Sequence, residues 1–255
     1  MQRNGSPIWK IRNNKDVEHR VISKEGNYVN NIGCLLLHGF GGNVKEVAPL
    51  ASRLSDLGYR VLCPSLKGHT GKREDLQGVN FADWIVSAEE GLLSLQSDCD
   101  VVYIIGFSMG GLLAINIGLK HNIGGIVTIN TPIYYFNIKR AFINSVNVLI
   151  QKDFKTIRCN IKAASVLPFG SLLNFILLVK ATKPRIKGLR CPVFIAQAID
   201  DPTVRKSSAH YIFRNTGSPL KRLQFYDSSE HLILLSEEAE LVIKDVISFI
   251  SELVH

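Results

Sequence analysis

The sequence predicts an α/β fold: a mostly parallel sheet with helices on both faces, interrupted once by a helical insertion. Three observations lead there. Apolar runs of strand length alternate with longer amphipathic stretches, the pattern of a parallel sheet buried on both sides. Residues 131–188 break that alternation with helical patterning and no strand-like run. The chain has 255 residues, 46% of them hydrophobic, enough for a substantial core in one domain with an insertion, and not the composition of a disordered chain.

The elements follow in order. Gly33-Cys34-Leu35-Leu36-Leu37 is a buried-strand run that ends in His38-Gly39-Phe40-Gly41-Gly42. Residues 44–57 read as a helix, with Val47, Leu50, Leu54 and Leu57 at three- and four-residue spacing and Gly58 as the stop. A strand at 59–63 closes at Pro64, a helix spans 81–95, and a strand at 101–105 leads into Gly106-Phe107-Ser108-Met109-Gly110. A helix at 109–120 and a strand at 125–129 complete the first half. After the interruption come a strand at 192–196, a helix around 204–214, a strand at 220–226 and a last helix at 237–253. Within the interruption, Phe142, Val146, Leu149 and Ile150 form one helical stripe. Residues 163–179 form a second, uncharged but broken by Pro168 and Gly170, a poor membrane span. The expected organisation is a sheet domain of residues 1–130 and 189–255 with residues 131–188 as a helical cap; residues 1–32 yield no clear element.

Five scattered cysteines without C-x-x-C spacing disfavour a disulfide framework and a zinc site. Cys34, Cys63 and Cys191 lie in or beside apolar strand runs, where a free thiol acts as a small hydrophobe. The N-terminal residues show no apolar signal region, so the expected location is a reducing, cytoplasmic one. The net charge of +8 is concentrated: residues 133–187 hold ten basic residues and one acid, Asp153. That charge has three readings: a solvated lysine-rich face, peripheral docking on anionic membrane, or recognition of an anionic substrate. Nucleic-acid binding is disfavoured because no recognisable binding motif accompanies the charge.

The chemistry begins at Ser108. A G-x-S-x-G run between a strand and a helix forms a turn so sharp that its central residue is strained and its flanks must be nearly free of side chain. Such a turn presents the hydroxyl above the carboxyl edge of the sheet. A serine hydroxyl needs a general base, and the base needs a carboxylate to fix its tautomer. His231, between the last strand and the last helix, lies in a loop on that same edge. Asp201, in Asp200-Asp201-Pro202-Thr203-Val204 after the 192–196 strand, is the preferred carboxylate, with Asp200 as the alternative. Two backbone donors are expected for a developing oxyanion: the N–H of Met109, just after the serine, and that of Phe40 in the glycine-rich turn. His38 is expected to brace that turn and His69 to pack another. No metal or organic cofactor is implied.

These segments, together with Pro64-Ser65-Leu66-Lys67-Gly68-His69 and Ser229-Glu230-His231, resemble the α/β-hydrolase superfamily, and most closely its small bacterial carboxylesterases and monoacylglycerol lipases. The resemblance spans roughly residues 33–129 and 192–253. It implies an α/β-hydrolase fold, a triad of Ser108, Asp201 and His231, oxyanion donors at Phe40 and Met109, and a small-molecule ester substrate with an apolar acyl group. It also implies that the cap shapes an acyl tunnel, for which Phe142, Leu173, Phe175 and Ile176 are candidates. Glu230 departs from the family pattern, where a small residue commonly precedes the histidine; it either faces solvent or acts on the base. A thioesterase, amidase or carbon–carbon hydrolase would use the same triad, and a non-catalytic ligand receptor would need none of it.

Overall fold

Alternating apolar runs assemble into a six-stranded sheet. The computed structural model describes residues 21–22, 28–29, 31–135, 168–228 and 230–254. A two-residue antiparallel pair, β1 (Val21–Ile22) and β2 (Tyr28–Val29), precedes the sheet. The sheet itself comprises β3 (Ile32–Leu37), β4 (Arg60–Leu62), β5 (Val101–Phe107), β6 (Gly125–Ile129), β7 (Val193–Ala198) and β8 (Lys221–Tyr226). Their spatial order is β4-β3-β5-β6-β7-β8, and every neighbouring pair is parallel. Helices α1 (Ala48–Asp56), α2 (Phe81–Gln96), α3 (Met109–Gly118), α4 (Phe169–Thr182), α5 (Ser207–Asn215) and α6 (Ala239–Val254) are the long connectors.

Side chains alternate between the two faces of a strand, and each face is covered. Leu35, Leu37, Ile104 and Ile195 meet Trp84 and Leu92 of α2 and Leu112 of α3. Cys34, Leu36, Ile105 and Phe194 meet Leu50 and Leu54 of α1 and Val246, Phe249 and Ile250 of α6. Each fully buried aliphatic or aromatic chain contributes roughly 1.5–3 kcal/mol, so the fold needs both layers. The four described cysteines outside the insertion (Cys34, Cys63, Cys99 and Cys191) are free, and burial pushes their thiols up.

Several boundaries differ from the sequence expectation, and four of them have a local reason. Residues 44–46 form a separate 3₁₀ turn before α1 because Pro49 sits in the first turn of that helix; proline lacks the N–H that a helix continuing from residue 44 requires. Strands β5 and β7 run two residues further because Phe107 pairs with Ile129 and Ala198 with Tyr226. Pro168 occupies the N-cap position of α4 and Gly170 lies within its first turn, so proline starts this helix rather than breaking it.

The chain leaves the sheet after β6 and returns at β7, its neighbour. Of this excursion, residues 136–167 lie outside the described residues, and with them Phe142, its stripe and six of the ten basic residues. Helix α4 is tied down by Ser171 Oγ donating to Leu76 O (3.1 Å) and by Asn174 Oδ1 accepting from Phe81 N (3.2 Å). Asn116 Nδ2 on α3 donates to Thr182 Oγ1 at 2.6 Å, and Arg185 Nη1 donates to Asn116 Oδ1 at 2.6 Å. Lys183 Nζ lies 4.2 Å from the centroid of the Tyr134 ring. No helix among the described residues is long and apolar enough to cross a membrane.

Candidate active site

Parallel strands place all their carboxyl ends on one edge, and the loops leaving that edge carry the candidate residues. Ser108, between β5 and α3, has φ 52° and ψ −117°, a conformation that costs a non-glycine residue about 1–3 kcal/mol. Gly106 and Gly110 make it sterically possible. A Cβ on Gly106 would enter the backbone of Gly110, and one on Gly110 would enter the carbonyl of Leu37 on β3. Ser108 N donates to Ile129 O of β6 at 2.8 Å, which pins the turn to the sheet.

The three residues proposed for proton transfer converge here. Ser108 Oγ lies 3.0 Å from His231 Nε2, and His231 Nδ1 lies 2.7 Å from Asp201 Oδ2. A carboxylate only accepts, so Nδ1–H donates to Asp201, leaving Nε2 as the acceptor for the serine hydroxyl. Asp201 Oδ1 accepts from Thr203 N (2.7 Å) and Val204 N (3.0 Å), which locks the carboxylate in place. All three side chains are buried. Asp200 is exposed instead, and its backbone N–H donates to Ser228 O at 3.2 Å. Of the two aspartates, Asp201 is the one whose side chain reaches His231. Glu230 is exposed and faces solvent.

The glycine-rich turn after β3 lies alongside. His38 Nδ1–H donates to Gly39 O (2.9 Å) and its Nε2 accepts from Leu66 N (3.3 Å), so His38 links this turn to the one after β4. His69 packs that second turn, its ring 5.0 Å from His38. Burial lowers the pKa of His38 to about 4 and that of His69 to about 3, keeping both neutral. The Phe40 ring contacts Trp84 (5.4 Å between centroids) and stacks on Phe175 (5.1 Å). Met109 opens α3, where helix geometry supplies no acceptor for its N–H. Of the acyl-pocket candidates, Phe175 reaches this aromatic group, Ile176 is half-buried, Leu173 is exposed, and Phe142 lies outside the described residues.

Two residues at this edge escape sequence reasoning. Asn130, directly after β6, has φ 46°; its Nδ2 donates to His231 O and its Oδ1 accepts from Ala198 N, both at 2.8 Å. Glu46, buried behind the glycine-rich turn, accepts the Gly39 N–H at 2.8 Å. Burial raises its carboxyl to about 7, against opposing effects of that hydrogen bond and of His231. The only sequence trace of either is a polar residue where a strand ends or a helix begins.

A parallel sheet in this order, with a strained serine between β5 and α3, defines an α/β-hydrolase fold. The sequence matches the Alpha/beta hydrolase family over residues 34–244, and the chain belongs to that family. It is 30% identical over 227 residues to the thermostable monoacylglycerol lipase of Bacillus sp. (strain H-257), covering 87% of this chain and 91% of that protein. A carboxylesterase of Bacillus subtilis (strain 168) is 27% identical over 226 residues, covering 86% and 92%. A solved structure from work on the metagenome-derived lipolytic enzymes LipS and LipT is similar with a TM-score of 0.74 at 24% identity, covering 88% of this chain and 95% of that one.

Proposed function

We propose that this chain hydrolyses carboxylic esters through an acyl-enzyme on Ser108. The chain is an ester hydrolase: family membership and the named activities of the two Bacillus relatives support that class. The finer reading rests on one observation, the Ser108–His231–Asp201 hydrogen-bond relay at 3.0 and 2.7 Å. In this reading His231 Nε2 takes the hydroxyl proton as Ser108 Oγ attacks the ester carbonyl, and Asp201 stabilises the imidazolium. The backbone N–H groups of Phe40 and Met109 hold the oxyanion, each worth about 100- to 1,000-fold in rate. The imidazolium then protonates the leaving alcohol. Water activated by the same histidine releases the acid and restores Ser108.

The substrate in this reading is a monoester with an apolar acyl chain, a monoacylglycerol or a simple carboxylic ester. Residues 131–188 serve as the cap over the acyl group, with Phe175 stacked on Phe40. The test is hydrolysis of glycerol and p-nitrophenyl monoesters across acyl chain lengths, with Ser108→Ala as control. Turnover abolished in the variant supports the acyl-enzyme, and preference for long-chain glycerol monoesters over short p-nitrophenyl esters selects the monoacylglycerol lipase. Wild-type turnover that survives in Ser108→Ala refutes the mechanism.

A further inference from the structure

We infer that Glu46 is a positioning residue for the oxyanion loop: its buried carboxylate fixes the backbone of residues 39–42 and thereby aims the Phe40 N–H. This rests on the proposed reading of Ser108 as nucleophile and Phe40 as oxyanion donor. Three features of the loop converge on that carboxylate. Gly39 N donates to Glu46 Oε2 at 2.8 Å, immediately before Phe40. Gly42 N closes the turn onto Gly39 O at 3.3 Å, and a Cβ on Gly42 would fall inside the carboxylate itself. The absence of a side chain at Gly42 thus leaves the space that the Glu46 carboxyl group fills. A Cβ on Gly39 would also sit 3.1 Å from Oε2 and 3.2 Å from the Phe107 ring.

The side chain is aimed from its own turn as well. Asn43 caps the 3₁₀ segment by accepting from Lys45 N at 2.9 Å, and Glu46 N donates to Asn43 O at 3.1 Å. Glu46 is 3% exposed. Filling this space alone would favour an apolar side chain, because a buried carboxyl is costly. What the acid supplies is an acceptor for Gly39 N–H, which would otherwise be a buried, unpaired donor. One backbone amide held rigid fixes the peptide that precedes Phe40, and oxyanion stabilisation depends on donors set in position before reaction.

The experiment compares wild type, Ser108→Ala, Glu46→Ala, Glu46→Gln and Glu46→Asp on the best p-nitrophenyl ester. It also measures inhibition by an alkyl trifluoromethyl ketone, to whose carbonyl Ser108 Oγ adds to leave an oxyanion. Deleting a donor costs about 100- to 1,000-fold, so displacing one should lower kcat about 10- to 100-fold in Glu46→Ala, with KM within about threefold. Affinity for the ketone should fall by the same factor as kcat. Glu46→Gln, which keeps an acceptor oxygen for Gly39, should recover both; Glu46→Asp, one methylene short of Gly39, should not. A merely structural role would lower melting temperature and leave kcat and ketone affinity per folded molecule unchanged. Wild-type kcat and ketone affinity in folded Glu46→Ala overturn the inference; if that variant does not fold, Glu46→Asp decides on the same criterion. Wild type inactive on every ester, or Ser108→Ala as active as wild type, overturns the functional reading and this inference with it.

Discussion

Replacing Asp201 with asparagine tests the proposed relay most sharply, because the two oxygens of Asp201 have different partners. Oδ1 accepts two backbone N–H groups, from Thr203 and Val204, while Oδ2 accepts His231 Nδ1–H at 2.7 Å. Asparagine has one acceptor. If its oxygen stays with the two amides, its NH₂ faces His231 Nδ1, and the imidazole must carry its proton on Nε2. That nitrogen, 3.0 Å from Ser108 Oγ, then has no lone pair for the serine proton. The opposite orientation preserves the useful tautomer and leaves two buried amides unpaired, at about 1–3 kcal/mol each. Two such amides disfavour the productive arrangement by about 2–6 kcal/mol, or about 30- to 20,000-fold at about 1.4 kcal/mol per factor of ten. Losing the carboxylate opposite the imidazolium adds to this, so kcat should fall about 1,000- to 10,000-fold. Steady-state kinetics on a p-nitrophenyl ester, alongside thermal unfolding to verify the fold, is the assay. Asp200→Asn, altering an exposed side chain, should stay within about threefold of wild type, since a surface change of this kind touches none of the bonds above. More than a tenth of wild-type kcat in folded Asp201→Asn, or an equal loss in Asp200→Asn, refutes the argument.

Glu46 also makes a stability prediction: its carboxyl, at about 7 rather than 4.5, favours its neutral form in the fold, so its contribution is full below pH 4.5 and is lost as pH rises through 7. The stability of Glu46→Gln minus that of wild type should therefore grow by about 3 kcal/mol between pH 4.5 and 8.5 in urea titrations, at about 1.4 kcal/mol per pH unit; a constant gap refutes the burial. His38 and His69, lowered to about 4 and about 3, have the opposite sign: stability is full above pH 6.5 and declines as pH falls toward those values. His69→Asn, which keeps a donor for Lys67 O, should flatten that decline by about 1.4 kcal/mol per pH unit between pH 4 and 6, whatever its effect at neutral pH. Asn130→Ala removes the bonds to Ala198 N and His231 O and places alanine at φ 46°, which should destabilise by about 2–4 kcal/mol. Asn130→Gly, free of the backbone penalty, should be the milder variant by urea denaturation; the reverse order would refute the role of the left-handed backbone.

The fold is largely legible in the sequence because a parallel sheet buried on both faces writes each strand as an unbroken apolar run. Val101-Val102-Tyr103-Ile104-Ile105 and Pro192-Val193-Phe194-Ile195-Ala196 are examples. The candidate site is legible for a related reason. Ser108 directly follows its strand and Asp201 and His231 lie within five residues of theirs, and parallel strands deliver their ends to one edge, where the three side chains meet. Choosing Asp201 over Asp200 is harder, since the decision rests on a turn in which Asp201 accepts from the amides two and three residues on. Reading 44–57 as one helix passes over Pro49, and reading Pro168 as a break misses that it starts a helix, because proline serves both as a helix breaker and as a first-turn residue. Glu46 and Asn130 left almost no trace. Their partners are backbone groups 7, 68 and 101 residues away, and no periodicity records which distant amide will need an acceptor.

Strain at this edge is also distributed in a way that bears on how the molecule divides its work. Among the described residues, Ser108 and Asn130 are the only non-glycine positions with positive φ. They sit on neighbouring strand ends, joined through Ser108 N to Ile129 O and Asn130 N to Ala196 O. A strained conformation persists only where the surroundings over-determine it. Here they do so through register: Phe107 pairs with Ile129 and Ile129 with Ala196, so β5, β6 and β7 hold the two residues in line. Asn130 then extends that frame to the His231 carbonyl and to Ala198, three residues before Asp201. The spacing of serine, imidazole and carboxylate is therefore set by the sheet, by the buried Asn130 amide and by the Thr203–Val204 turn that holds Asp201, to which Tyr134 and Tyr135 at the start of the insertion are themselves bonded. On the proposed reading, changes at Phe142, Leu173, Phe175 or Ile176 alter which ester is accepted, whereas changes at Gly106, Gly110, Asn130 or Asp201 alter how fast any ester is cleaved.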